Sequence, residues 1–230
     1  MWDRILGLDF RRRRLLRHAA PGPLRDYLTT PFPDRRADYR SVEFVSLDLE
    51  TTGLDPRRDE ILSIGLVALQ DNRIDLGTAR HYLVTPTRAV PERTAVIHQI
   101  TDDQAARGRS LAEMLPLVLS RLSGRVLLGH HVRVEHQFLD EACRRLYGTR
   151  FLIPLVDTEA LIRRWMERRN QPFAGRDLRL HALRERYGLP RYKAHNALVD
   201  ALATAELFCA FVANRELGEK APLKLFLEPQ

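Results

Sequence analysis

Cysteine is scarce in this 230-residue sequence, which contains only Cys143 and Cys209. The two lie far apart, and neither belongs to a CxxC pair or to a Cys/His cluster. A cysteine-based zinc site or a disulfide framework is therefore not indicated. We interpret both residues as reduced, buried thiols of a protein in the cytoplasm, where thiols stay reduced.

Long apolar runs are also missing. The longest, such as Ala205–Ala213, falls well short of the roughly 18 residues that a membrane helix needs, and it contains a glutamate. The arginine-rich start does not match a secretory signal, because Asp3 and Asp9 interrupt it and no long apolar core follows. The GxGxxG and P-loop motifs of nucleotide-binding enzymes and the GxSxG motif of serine hydrolases are absent as well. These absences predict a cytoplasmic protein without a membrane segment.

Positive charge is concentrated at one end of the sequence. Residues 1–40 contain ten arginines and five aspartates, whereas the whole chain has a formal net charge of +7. The Arg11–Arg14 run is suited to contacts with phosphates, but a solvated arm or the polar face of a docking helix would have the same composition. Residues 21–40 contain four prolines and are typical of a linker between this basic arm and the main domain.

Strand-like runs begin at Ser41. Three apolar and β-branched runs, Val42–Leu49, Glu60–Leu69 and Ala79–Val84, are separated by short turns and predict an antiparallel meander. Strands and helices then alternate, which predicts an α/β fold with a mixed sheet flanked by helices. The later predicted elements are a strand at Arg125–Gly129 and helices at Ser110–Leu122, Glu135–Tyr147, Asp157–Arg169, Leu178–Tyr187 and Ala197–Asn214. We expect an arm and linker over residues 1–40, one domain over residues 41–214 and a tail over residues 215–230.

Two carboxylates lie in the first apolar strand. Asp48 and Glu50 are two residues apart, so they point to one face while Leu47 and Leu49 point to the other. Acids that share an apolar face repel each other and lose hydration unless a cation neutralises them. Mg²⁺ and similar hard cations take oxygen ligands of this kind. The alternative is a strand end at the solvent, with both acids hydrated.

Two further acids lie at predicted helix starts. Asp200 follows His195 by five residues, and the small Ala197 and Ala201 beside it would let its helix approach the sheet. Glu135 begins another helix directly after the fourth predicted strand. Each feature alone fits an ordinary helix terminus or a surface histidine. Together they favour a cation site over a hydrated strand end for Asp48 and Glu50.

Three segments of the chain together resemble the exonuclease motifs of the DEDDh family. That family contains the epsilon-type proofreading subunits of DNA polymerases, the oligoribonuclease and RNase T types, and many stand-alone 3′–5′ exonucleases. The segments are, in the family's order, Asp48-Leu-Glu50-Thr-Thr-Gly, Gly129-His-His-Val-Arg-Val-Glu135-His-Gln-Phe-Leu and His195-Asn-Ala-Leu-Val-Asp200-Ala. Ile97–Asp102 and Val156–Thr158 resemble further segments of the family. The resemblance covers about residues 43–212, and it implies a ribonuclease-H-like mixed sheet and an exonuclease domain at residues 41–214.

By this resemblance the protein would hydrolyse phosphodiester bonds at the 3′ end of a single-stranded nucleic acid, with DNA favoured over RNA. The reaction would use two divalent cations, Mg²⁺ or Mn²⁺, and a histidine as general base. A DNA polymerase or another repair protein would be a candidate partner. The implied residues are Asp48, Glu50, Glu135 and Asp200 as cation ligands, His195 as the base, and Thr51, Leu54 and His98 at the terminal nucleotides.

The second motif departs from the family pattern. The family normally has an Asp that follows an aromatic residue, but here Glu135 replaces the Asp and Val134 replaces the aromatic residue. His131 occupies the position of the family's usual Asn. Glu has one more methylene than Asp, which predicts a weaker cation site and a stronger preference for Mn²⁺ over Mg²⁺. Two alternatives stay open: a catalytically weakened nucleic-acid-binding or polymerase-docking module of the same fold, and an α/β domain whose acids share no role. His195 argues against a pure binding module, which has no need of a general base.

Overall fold

The computed structural model describes residues 7–88, 108–193, 195–215 and 217–229. Its strands are β1 (Phe44–Thr51), β2 (Ile61–Gln70), β3 (Arg73–Leu83), β4 (Val126–Gly129) and β5 (Leu155–Asp157). Its helices are α1 (Leu8–His18), α2 (Pro23–Thr29), α3 (Leu111–Leu122), α4 (Arg133–Tyr147), α5 (Thr158–Arg168), α6 (Leu180–Arg186) and α7 (Ala197–Ala213). Short 3₁₀ turns lie at Tyr39–Ser41, Gly175–Leu178 and Leu223–Leu225.

The predicted antiparallel meander is confirmed. β1 pairs with β2 and β2 pairs with β3, both antiparallel. Asp71 and Asn72 form the two-residue turn of the β2–β3 hairpin, and both have the positive φ (50° and 57°) that such a turn requires. β3 begins at Arg73, earlier than the predicted Ala79. The first half of this edge strand is largely exposed and polar, so no apolar run marks it in the sequence.

The second half of the sheet is parallel. β4 pairs with β1 and β5 pairs with β4, which gives the strand order β3-β2-β1-β4-β5. The predicted α/β fold with a mixed sheet flanked by helices is therefore confirmed. Because β1, β4 and β5 run in the same direction, their carboxyl ends meet at one edge of the sheet, where functional residues of open α/β sheets gather.

The predicted helices are present with shifted ends. Ser110 and Glu113 form the predicted capping box at the start of α3, each side chain accepting a hydrogen bond from the other's backbone N–H. α4 begins at Arg133, two residues before the predicted start. The predicted helix Leu178–Tyr187 is shorter than expected, because its first part is a 3₁₀ turn and α6 begins only at Leu180.

The sheet separates two apolar cores because alternate residues of each strand point to opposite faces. On one face, Val45 and Leu47 of β1 pack with α2, α3 and α4. On the other face, Phe44 packs with α5 and α7, including a ring contact to Phe208 at 5.3 Å between centroids. The functional edge of the sheet is thus supported from both sides.

The proline-rich segment before β1 is not a linker throughout. α2 buries Leu24, Tyr27 and Leu28 in the first core, and the Tyr27 hydroxyl donates a hydrogen bond to the carbonyl of Leu152 (2.6 Å). The linker interpretation of residues 21–40 is therefore wrong for Pro23–Thr29, where Pro23 occupies the first helical position that favours proline. The division of the chain into arm, domain and tail stays a prediction.

The arginine run lies in α1, and part of it has a structural role. Arg12 is buried, its guanidinium donates to the carbonyl of Leu28, and it pairs with Asp9 at 2.7 Å. Arg13 pairs with Asp9 as well, at 3.2 Å. Of the three interpretations of this run, these contacts favour a helix docked on the domain.

The predicted tail also packs on the domain. Ala221, Leu223 and Phe226 are buried in the second core, and Pro222 forms an isolated bridge with Asp38. Within the described ranges, no helix combines the length and the apolar character that a membrane crossing needs.

Candidate active site

β1 brings the first two predicted ligands together. Asp48 and Glu50 lie on the face of β1 opposite Leu47 and Leu49, which belong to the first core. Glu50 is buried and Asp48 is partly buried. The register between β1 and β2 shifts immediately after Glu50, so the regular strand pairing ends where the carboxylates end.

α7 supplies the third predicted ligand by lying directly on the sheet. A Cβ atom at Gly65 of β2 would overlap the backbone of Ala197, the first residue of α7. Gly65 is the partner of Asp48 in the β1–β2 register. Ala197 and Ala201 are fully buried in this contact, as their small size predicts. The close approach therefore puts Asp200 beside the two carboxylates of β1.

The three carboxylates form one group. One oxygen each of Asp48, Glu50 and Asp200 lies within 4.8 Å of the other two. Burial, together with the charges of the neighbouring acids, raises the pKa of Asp48 well above its ordinary value. Burial also raises the pKa of Asp200. A hard divalent cation would neutralise this group through oxygen ligands, so the residues fit the cation that the motifs imply.

Glu135 projects from the first turn of α4 and is buried. Its Oε2 atom has no hydrogen-bond partner in the structure. Burial raises the pKa of Glu135 to about 8, and the charges of Asp157 and Glu50 act in the same direction. Glu135 lies outside the group of three, but its charge contributes to the raised pKa of Asp48. A buried carboxylate oxygen without a partner fits a ligand of a second cation at this edge.

His195 lies in the loop directly before α7, with an exposed side chain and a positive φ of 68°. Its backbone N–H donates a hydrogen bond to Oδ2 of Asp200 (2.8 Å). Asn196 then caps α7, its side chain accepting from the N–H of Val199 (3.1 Å). The loop that carries His195 is therefore tied at its base to a predicted cation ligand.

Two histidines follow β4 and fix the start of α4. His130 Nδ1 lies 2.8 Å from the Thr158 hydroxyl, and burial lowers the pKa of His130 to about 4. His131 has a positive φ of 64°, its backbone N–H donates to Oδ1 of Asp157 (3.2 Å), and its ring contacts Glu159. The ends of β4 and β5 are thus joined where the family motif normally has an Asn.

Asp48 and Asp200 open on a cleft of about 720 Å³, which His195 also lines. α6 and the residues that flank it contribute to the lining as well, including the exposed Arg179 and Arg191. Arg191 pairs with Glu185, another lining residue, at 2.9 Å. A cleft lined by both carboxylates and arginines suits a chain of phosphates, with the acids neutralised by cations and the phosphates by arginines.

The structure describes two of the three predicted substrate residues. Thr51 is the last residue of β1, and its hydroxyl donates to the carbonyl of Gly53 (2.6 Å). Leu54 lies in the loop after β1 with 79% of its surface exposed. His98 lies outside the described residues. The roles of all three at the terminal nucleotides stay predictions.

Sequence reasoning missed the residue that allows the site to form. That residue is Gly65, and a single glycine inside an apolar strand is the signal of a close backbone approach that could have found it. It also missed Arg184 in the cleft, which is 4% exposed. No sequence signal distinguishes this buried arginine from the other arginines of the segment.

Comparisons with known proteins identify the class. A family model for exonucleases of the RNase T type matches residues 45–208. PolC-type DNA polymerase III of Thermotoga petrophila is 34% identical over 176 residues, which are 76% of this chain but 12% of that protein. The epsilon subunit of DNA polymerase III of Treponema pallidum is 30% identical over 179 residues, 77% of this chain and 80% of that protein. The chain thus spans a small part of its PolC-type relatives and most of its epsilon-type relatives.

Solved structures of low identity share the fold. The nuclease domain of 3′hExo, a DEDDh family member bound to rAMP, aligns with a TM-score of 0.67 at 17% identity, covering 84% of this chain and 98% of that one. Exonuclease I of E. coli in complex with a dA16 oligonucleotide aligns with a TM-score of 0.66 at 18% identity, covering 76% and 42%. The predicted ribonuclease-H-like fold is confirmed. The chain belongs to the RNase T family of exonucleases, which confirms the DEDDh resemblance of its motifs.

The raised pKa of Glu135 predicts a pH dependence of stability in the absence of metal. A carboxyl whose pKa is about 8 in the folded chain and ordinary in the unfolded chain stabilises the fold below its unfolded pKa, and this contribution is lost as the pH rises towards 8. In EDTA the free energy of unfolding should therefore fall from pH 5 to pH 8, by up to about 1.4 kcal/mol per pH unit for one proton. Urea denaturation across this range measures it.

Glu135→Gln should make this pH dependence shallower, because the glutamine cannot ionise. Glu141→Gln, on the same helix and outside the group, is the matched control and should keep the wild-type slope. Equal slopes for wild type and Glu135→Gln would mean that Glu135 is not a buried, strained acid.

Proposed function

We propose that this protein is a metal-dependent 3′–5′ exonuclease that removes nucleotides from single-stranded ends, with DNA favoured over RNA. The observation that carries the proposal is the group of Asp48, Glu50 and Asp200, whose oxygens lie within 4.8 Å of one another and two of which line the cleft. Membership in the exonuclease family and the buried, unpartnered oxygen of Glu135 support it.

The four acids would hold two divalent cations, with Glu135 as the ligand on the leaving-group side. Bound there, the cations would lower the pKa of water, orient the scissile phosphate and neutralise the charge that develops on it. His195 would accept the proton of the attacking water, a role that its exposed ring and its loop position before Asp200 allow. The arginines of the cleft would bind the phosphates upstream of the scissile bond.

DNA is favoured as substrate because relatives at 30% and 34% identity are a subunit of DNA polymerase III and a PolC-type DNA polymerase III. For the same reason a DNA polymerase is the proposed partner. The choice between DNA and RNA rests on this relationship, because discrimination of the 2′-hydroxyl depends on a few contacts in the pocket. The second candidate function is a binding module of the same fold that has lost catalysis through Glu135.

The decisive experiment is hydrolysis of a labelled single strand, run on DNA and RNA with Mg²⁺, with Mn²⁺ and with EDTA. We expect stepwise shortening from the 3′ end that requires a divalent cation. Asp48→Asn and Asp200→Asn should each abolish shortening while the fold stays intact by circular dichroism, because each removes a charged ligand with little change in shape. Glu141→Gln is the control. Normal turnover in either Asn variant would overturn the two-cation proposal, and strand binding without hydrolysis by the wild type would favour the binding module.

His195→Ala should be milder than the loss of a cation ligand. Removal of a general base costs about 10²–10⁴ in rate, so residual, metal-dependent turnover is expected. The acidic limb of the pH–rate profile should also change, since the titrating base is absent. A variant with the wild-type rate and profile would exclude His195 from proton transfer.

Glu135 provides the test of the metal preference. Mg²⁺ requires nearly ideal octahedral geometry, whereas Mn²⁺ tolerates the longer reach of a glutamate. We expect the wild type to favour Mn²⁺, Glu135→Asp to shift activity towards Mg²⁺, and Glu135→Gln to be nearly inactive with both. Metal titrations of turnover for the three proteins measure this. Should Glu135→Gln match the wild type, Glu135 is not a cation ligand. Asp140 on the same helix would be a poor ligand in its place, because its carboxylate already accepts a hydrogen bond from the backbone N–H of Phe151 and pairs with Arg150.

A further inference from the structure

One aromatic ring in the cleft has no role in the chemistry above. Tyr192 lines the same cleft as Asp48, Asp200 and His195, and it is 39% exposed. Among the residues that the structure describes, Phe10 and Tyr192 are the exposed aromatic side chains. Tyr192 lies three residues before His195, in the loop between α6 and α7. A partly exposed ring so close to the proposed base needs a physical explanation.

The ring is held rigidly from behind. The guanidinium carbon of the buried Arg184 lies 4.4 Å from the centroid of the Tyr192 ring. The Tyr192 hydroxyl donates a hydrogen bond to Oε1 of Glu206 on α7 (2.8 Å). One face of the ring and its hydroxyl are thus occupied by protein, so the exposed surface belongs to the other face and the edges.

Arg184 is itself fixed by contacts in three directions. It donates to the carbonyls of Ala203 on α7 (2.7 Å) and of Pro190 in the loop (2.9 Å), and it pairs with Glu206 at 2.8 Å. A buried charge is costly unless it is paired, and these three contacts pair the terminal nitrogens of Arg184, although its Nε has no partner. Arg184 locks the loop, α6 and α7 together and leaves the Tyr192 ring little freedom to turn.

We propose that Tyr192 is a stacking platform for a nucleobase of the bound single strand, a few nucleotides upstream of the scissile bond. A preorganised aromatic face suits any base, because every base has a π-face and stacking does not read its identity. The exposed Arg179 and Arg191 line the same cleft, where they would bind phosphates of the strand; Arg191 would exchange its ion pair with Glu185 for a phosphate. Arg184 and Glu206 are positioning residues that orient the ring. The inference rests on the proposed function, which supplies the strand.

The platform also explains how the strand is held near the proposed base. Tyr192 and His195 share one short loop, and Arg184 and Asp200 fix the two ends of that loop through Pro190 and the His195 N–H. A base stacked on Tyr192 is therefore held at a fixed distance from His195, which lies three residues further along the same loop. This favours cleavage of the terminal bond in strands long enough to reach the platform.

The test measures strand binding in EDTA, where no hydrolysis occurs, by fluorescence anisotropy of a 5′-labelled DNA oligonucleotide. Tyr192→Ala should weaken binding by about 5- to 140-fold, the worth of one stacked base. Tyr192→Phe keeps the ring and loses only the bond to Glu206, so it should weaken binding less than about threefold. Phe10→Ala, which removes a ring that is 47% exposed on α1 and does not line the cleft, is the matched control and should bind like the wild type.

An abasic residue placed at each of the first eight positions from the 3′ end makes the test independent of protein folding. With the wild type, one position should reproduce the loss seen in Tyr192→Ala. With Tyr192→Ala, the same abasic substitution should cause no further loss, because the stacking partner is already gone. The proposal is overturned if Tyr192→Ala binds like the wild type, or if the two losses multiply at every position. Failure of the proposed function is a different result: wild-type binding in EDTA with no shortening when Mg²⁺ or Mn²⁺ is added.

Discussion

The contact of α7 with β2 at Gly65 is the constraint on which the rest of the site depends. Helix backbone and strand backbone meet there without a side chain between them. The Ser46 hydroxyl strengthens the contact by donating a hydrogen bond to the carbonyl of Ala201, the residue directly after Asp200. Since Gly65 pairs with Asp48 in the sheet, this single approach converts two carboxylates on a strand into a three-carboxylate group.

Without a cation, the buried carboxylates at this edge destabilise the folded state electrostatically, and the rest of the fold must compensate. The pKa values of Asp48, Glu135 and Asp200 are all raised, with burial as the largest cause in each case. Two apolar cores, one on each face of the sheet, hold the strand that carries the acids in place. Stability is thus provided by packing away from the edge, whereas the edge itself is destabilised in a way that favours cation binding.

The sequence predicted those parts of the molecule that depend on local patterns. Alternation in β1 predicted that Asp48 and Glu50 share a face, and small residues around Asp200 predicted the approach of its helix. The docking of α2 could not be predicted from proline content, because Pro23 is equally typical of a linker and of the first residue of a helix. The contacts of Arg184 could not be predicted, because they join residues of α6, a loop and α7 that only the tertiary fold brings together.

α7 links the cation group to the strand-binding part of the cleft. Its first turn carries Asp200, the carbonyl of Ala203 lies one turn further, and Glu206 follows after another turn. The last two hold Arg184 and, through its bond to Pro190, the loop that carries Tyr192. Because Asp200 and this loop are both attached to α7, a displacement of α7 from Gly65 would move both of them away from Asp48 on β1. Such a displacement would open the cation group and shift the strand-binding loop at the same time, so the seating of α7 on the sheet controls both chemistry and strand binding.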